Sequence, residues 1–149
     1  MSLDKREFEI IIWGASGFTG RLVAEYLFQK YNSKDLKWAI AGRDKDKLTS
    51  VRDIYLDKSI SIHIADSFDE LSLNKITTRT KVICSTVGPY SKYGSLIVKS
   101  CVESGTDYCD LAGESQWIRK MIDFYHDKAE SNQVKICLLY TSDAADDGL

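Results

Sequence analysis

Three glycines stand three residues apart in the run Gly14-Ala15-Ser16-Gly17-Phe18-Thr19-Gly20. A short β-branched run precedes them and a helical pattern follows. In that setting each glycine has a different use. Gly14 permits a tight turn off a strand, Gly17 lets the backbone approach a pyrophosphate, and Gly20 lets helix and strand pack closely. The helix start then offers unpaired N–H groups and the positive end of a dipole to the phosphates. Ser16 and Thr19 can add hydroxyl donors, and Phe18 lies between the last two glycines. A glycine-rich turn that binds nothing is the plainer alternative. About 20 residues further on, a dinucleotide site that prefers NAD carries an acid on the ribose 2′-OH. This chain instead reads Ala41-Gly42-Arg43-Asp44-Lys45, with Lys47 close by. A guanidinium at Arg43 suits a 2′-phosphate, so the chemistry favours NADP(H) over NAD(H). Asp44 reads as a helix cap, and Arg43 could equally be a solvated loop residue.

Further positions fall at the ends of predicted strands, where open parallel sheets bind ligands. Asp66 could face an adenine amino group or cap the next helix. Val87, Gly88 and Pro89 would line the ribose and nicotinamide. Tyr90, Tyr93, Asp110 and Glu114 are candidates for the substrate side, although Glu114 also suits the first turn of a helix. The Tyr-x-x-x-Lys spacing occurs at Tyr26 and Lys30, on the first helix, where it reads as a core tyrosine beside a surface lysine. His63 and His126 lack metal-ligand spacing. No cysteine has a basic neighbour in sequence, so the catalytic residues stay unassigned and no metal is expected.

The elements that must position these residues alternate regularly. Apolar runs predict strands over 9–13, 37–41, 59–65, 81–87, 107–111 and 133–139. Helical spacing predicts helices over 19–31, 44–56, 69–77, 95–104 and 114–130, with Leu22, Val23, Tyr26 and Leu27 inward on the first and Gly105 ending the fourth. Strands alternating with helices imply an α/β fold, a doubly wound parallel sheet of six strands in a three-layer α/β/α sandwich.

Composition fits one such domain. The chain has 149 residues, 44% of them hydrophobic, with Lys+Arg 20 against Asp+Glu 22. The near-zero charge argues against a nucleic-acid partner. No apolar run approaches the length of a transmembrane segment. The four cysteines form no C-x-x-C pair and read as reduced thiols of an intracellular, cytoplasmic protein.

Taken together, GASGFTG at 14–20, AGRD at 41–44, VGPY at 87–90 with Tyr93-Gly94, and CDLAGE at 109–114 resemble the saccharopine dehydrogenase-like oxidoreductases, in their N-terminal NADP-binding domain. The likeness runs from about residue 7 to Ile136. It implies that 1–136 form a Rossmann domain and that a second, substrate-shaping domain is missing. Hydride transfer to a lipid-related substrate, and association with lipid droplets or other membranes, follow from the resemblance alone. The chain by itself is expected to be inactive. The final stretch, 137–149, resembles a translated sequencing-adapter fragment and reads as a non-native tail, with a natural acidic tail as the alternative. A non-catalytic NADP(H)-binding redox sensor or interaction module is the second functional reading.

Overall fold

A computed structural model of the chain describes residues 5–31 and 35–139. Twelve elements follow in order: β1 (Phe8–Trp13), α1 (Phe18–Lys30), β2 (Trp38–Gly42), α2 (Lys45–Tyr55), β3 (Ser61–Ile64), α3 (Glu70–Thr77), β4 (Thr80–Ser85), α4 (Tyr90–Tyr93), α5 (Ser95–Ser104), β5 (Asp107–Cys109), α6 (Ser115–Ser131) and β6 (Ile136–Cys137). The strands form one six-stranded sheet in the order β3-β2-β1-β4-β5-β6. Every pairing is parallel. The expected α/β doubly wound sheet is therefore the fold observed.

Parallel strands need crossovers, and crossovers to either side of β1 place helices on opposite faces. The side chains of β1 divide accordingly, because successive strand residues point to opposite faces. Ile12 packs with Ala24, Leu27, Ile40 and Leu48 beneath α1 and α2. Ile11 and Trp13 pack with Leu73, Ile83, Ile97 and Trp117 beneath α3, α5 and α6. Ile11, Ile12 and Trp13 are all buried. A strand buried on both faces reads as a continuous apolar run, which is how the FEIIIW segment reads.

Local chemistry sets the helix ends. Asp44 accepts from the N–H groups of Asp46 and Lys47 at the start of α2, and Asp69 accepts from Leu71 and Ser72 at the start of α3. Gly105, at φ 72°, closes α5 in the left-handed region. Arg6 fastens the far end of the sheet. Its guanidinium donates to the carbonyls of Thr77 and Thr80, 2.9 and 2.8 Å away, and also to Thr106 Oγ1 and the Ser104 carbonyl. Carbonyls left over at the ends of α3 and α5 thus meet a positive charge.

The structure departs from the sequence expectation in three places. The one-turn helix α4 was not anticipated, because four residues are too few for a periodicity. Tyr26 and Leu22 face solvent, 58% and 44% exposed, while Ala24 and Gly20 take the inner face of α1. Small residues win there because the helix lies close against the glycine turn. Ile122 of α6 is likewise exposed. Of the expected tail, Cys137 pairs in register with Cys109 and Leu138 packs on the core, while 140–149 lie outside the described residues. No described helix is long and apolar enough to cross a membrane.

Candidate functional site

At the carboxyl ends of β1, β2, β3 and β4 lies a cleft of about 280 Å³. A wider hollow of about 800 Å³ opens at the opposite ends of β1 to β3, away from the glycine turn. The cleft is built from the turn outward. Gly14 sits at φ 92°, and a Cβ there would lie 2.5 Å from Val87 Cγ2. A Cβ on Gly20 would lie 2.0 Å from the Gly14 carbonyl oxygen. Both glycines are therefore required by the protein's own packing. Gly17 is different: its nearest obstacle is the Gly14 oxygen at 3.5 Å, an ordinary contact. The space over Gly17 is open, and Gly17 is the N-cap of α1 with no side chain capping the helix. The first-turn N–H groups, including those of Phe18 and Thr19, have no intrahelical acceptor. A cradle with free donors and the positive end of a dipole fits a pyrophosphate.

The walls carry charge and aromatic surface. Arg43 leaves the tip of β2 into the cleft beside Lys47. Arg43 is exposed and has no hydrogen-bond or ion-pair partner among the described residues. Asp44, the next residue in the chain, spends its Oδ1 on the α2 backbone at 3.0 and 3.1 Å. An unpaired guanidinium at this tip suits a 2′-phosphate. Phe68 and Tyr93 form the far rim, with ring centroids 5.5 Å apart. Thr86 ties the floor together, its hydroxyl donating toward the carbonyls of Trp13 and Gly14 at 3.2 and 3.3 Å.

Gly14, Ser16, Gly17, Arg43, Asp66, Val87, Gly88 and Tyr93 meet in this cleft. Phe18 and Thr19 stand at its edge on the helix start, and Gly20 and Pro89 support it from behind. Asp66 does not cap α3, a role taken by Asp69; its Oδ1 accepts from the Phe68 N–H at 2.8 Å and so sets the Phe68 loop.

Three of the expected substrate-side residues make hydrogen bonds within the framework. Tyr90 is buried, its hydroxyl donating to the Ser85 carbonyl and accepting from the Leu111 N–H, both at 3.1 Å. Asp110 is buried as well; it accepts from the Tyr108 hydroxyl at 2.8 Å and from the N–H groups of Ala112 and Leu139. Glu114 turns both oxygens to the start of α4, accepting from the N–H groups of Tyr90 at 2.6 Å and Ser91 at 3.1 Å. Partial burial opposes the charge of Glu114, but these hydrogen bonds outweigh it and hold the carboxyl below its ordinary range.

Sequence reasoning missed Thr86, Phe68 and Trp13 as cleft residues. A hydroxyl two residues before the Gly88 turn is a signal for Thr86. Nothing in the local pattern marks Phe68, which becomes part of the wall only through the β3 to α3 loop.

The fold and this cleft define a dinucleotide-binding α/β domain. The chain belongs to the saccharopine dehydrogenase NADP binding domain family, whose sequence profile matches residues 10–137. It is 40% identical over 140 residues to a trans-acting enoyl reductase of Mycobacterium ulcerans, covering 93% of this chain and 33% of that protein. The trans-acting enoyl reductase of Mycobacterium tuberculosis is 38% identical with the same coverage. The chain thus spans about a third of the length of these relatives. Among solved structures, saccharopine dehydrogenase from Saccharomyces cerevisiae superposes with a TM-score of 0.71 at 17% identity, over 88% of this chain and 26% of that one. Triphenylmethane reductase from Citrobacter sp., solved with NADP(H), gives 0.66 at 15% identity, over 88% of this chain and 48% of that one. These two likenesses show a shared fold.

Proposed function

We propose that the chain holds NADP(H) across the carboxyl ends of β1, β2 and β4, as the cofactor-carrying part of an oxidoreductase acting on an enoyl group. One observation carries the reading: an uncapped glycine-rich helix start and an unpaired Arg43 open into the same cleft. Phe18 and Thr19 would hold the pyrophosphate through backbone N–H groups, with Gly17, whose own N–H donates to the Gly14 carbonyl, leaving room for its approach and Ser16 adding its hydroxyl. Arg43 and Lys47 would hold the 2′-phosphate. Phe68 and Tyr93 offer rings to the adenine end, and Val87 and Gly88 line the path to the nicotinamide. When bound, the nicotinamide supplies the hydride. The chain's own residues bind, orient and exclude water, while Tyr90, Asp110 and Glu114 make internal hydrogen bonds that hold the loops at the nicotinamide end.

The relatives' designation as enoyl reductases supports an enoyl acceptor; a lipid-related substrate is the expectation carried by the family resemblance. Four unbridged thiols fit a cytoplasmic setting. The cofactor domain would run to Cys137, where the family profile ends, with the final residues as a non-native tail. The commitment of Tyr90, Asp110 and Glu114 also favours a second reading, an NADP(H)-binding module that reports redox state to a partner.

Titration of nicotinamide fluorescence tests the binding claim. NADPH should bind more tightly than NADH, and equal affinities would overturn the 2′-phosphate assignment. Loss of nicotinamide absorbance on mixing a full-length form with NADPH and an enoyl thioester separates enzyme from sensor.

A further inference from the structure

Cys84 on β4 and Cys109 on β5 are direct register partners. Neighbouring parallel strands lie about 4.8 Å apart, inside the Cα separation a disulfide accepts. Register partners point to the same face, here the face of α1 and α2. Those helices pack over β1, β2 and β3, and both thiols remain half-buried rather than sealed. The neighbouring Cys109 thiol holds the Cys84 thiol below its ordinary range, and the same pairing with burial pushes Cys109 up. The other cysteines differ. Cys101 is fully buried on the opposite face. Cys137 is exposed and lies in register with Cys109, yet no bond joins it to another thiol among the described residues.

We propose that Cys84 and Cys109 form a cross-strand dithiol that peroxides convert to a disulfide. The Cys84 thiolate attacks a peroxide oxygen, the O–O bond breaks, and hydroxide leaves. Cys84 becomes a sulfenic acid. The Cys109 sulfur then attacks the Cys84 sulfur, the S–S bond forms, and water leaves. Two thiols lose two electrons and two protons, and hydrogen peroxide becomes two waters. Small thiols reverse the bridge by thiol–disulfide exchange.

The test uses the whole chain with Cys137→Ser to remove the competing neighbour. One equivalent of hydrogen peroxide should abolish two of the remaining titratable thiols, and non-reducing peptide mapping should find Cys84 joined to Cys109. Dithiothreitol should restore both. With Cys109→Ser added, oxidation should stop at a Cys84 sulfenic acid that dimedone captures. The proposal is overturned if Cys84 and Cys109 stay fully open to iodoacetamide after peroxide, or if Cys84 oxidises without linking to Cys109. Peptide mapping of the unsubstituted chain decides the matter should either variant fail to fold; a bridge between Cys109 and Cys137 there also overturns it.

Discussion

Arg43 owes its value to what it lacks. A surface guanidinium usually finds a carboxylate, but the adjacent Asp44 is occupied at the start of α2. Hydrogen bonds to charged groups contribute about 1.5–3 kcal/mol. Arg43→Ala should therefore weaken NADPH binding about 10- to 100-fold and leave NADH nearly unchanged, as read by fluorescence titration. An equal loss for both cofactors would assign Arg43 to something other than the 2′-phosphate. The glycines make a sharper contrast. Gly17→Ala meets only an ordinary contact, so its melting temperature should stay within a few degrees while cofactor affinity collapses. Gly20→Ala drives a Cβ into the Gly14 carbonyl. Overpacking against backbone costs about 3 kcal/mol, and calorimetry should show that loss with or without ligand. If both variants melt alike, the division of roles between these glycines is wrong.

Among the elements, α4 has the least intrinsic stability. A single turn cannot sustain itself, and its first N–H groups are satisfied from outside by Glu114. The folded carboxyl of Glu114 titrates below its unfolded value. Its contribution is thus fully present above the unfolded pKa and is lost as pH falls through the folded one. Glu114→Gln should lower stability at neutral pH and flatten the acid side of the stability profile below about pH 4.5, measured by urea unfolding. An unchanged acid slope would remove Glu114 from this role. Arg6→Met removes the guanidinium from the carbonyls of Thr77, Thr80 and Ser104, leaving Thr77 only the Thr106 hydroxyl, and should cost about 2–4 kcal/mol. The main elements were legible because their signals are local: the β-branched runs, Asp44 before α2, Gly105 after α5. The meeting of the glycine turn and Arg43 in one cleft was legible for the same reason, since each position follows from neighbours in sequence. The internal hydrogen bonds of Tyr90, Asp110 and Glu114 were not legible because their partners lie elsewhere along the chain. Glu114 reaches Tyr90 across a distance in sequence that no helical or strand period encodes. Tyr26 was misplaced by periodicity alone, which counts apolar residues but cannot see that the glycine turn demands small ones.

At the scale of the whole molecule, charge draws no anion toward the cleft. The formal net charge is −2, so attraction for a phosphorylated ligand is local to Arg43, Lys47 and the start of α1. Exposed charges are screened within about 8 Å at physiological ionic strength. NADPH affinity should fall with added salt more steeply than NADH affinity, and parallel slopes would contradict a site built on exposed cations. The sheet order carries a further consequence for synthesis. β1 pairs with β2 early in the chain, but its other edge waits for β4, where Phe8 meets Thr80. At a ribosomal pace of about 5–20 residues per second, that edge stays open for several seconds. An unpaired row of isoleucines is a template for misassembly. The nascent half-sheet therefore invites chaperone attention until β4 emerges and closes it.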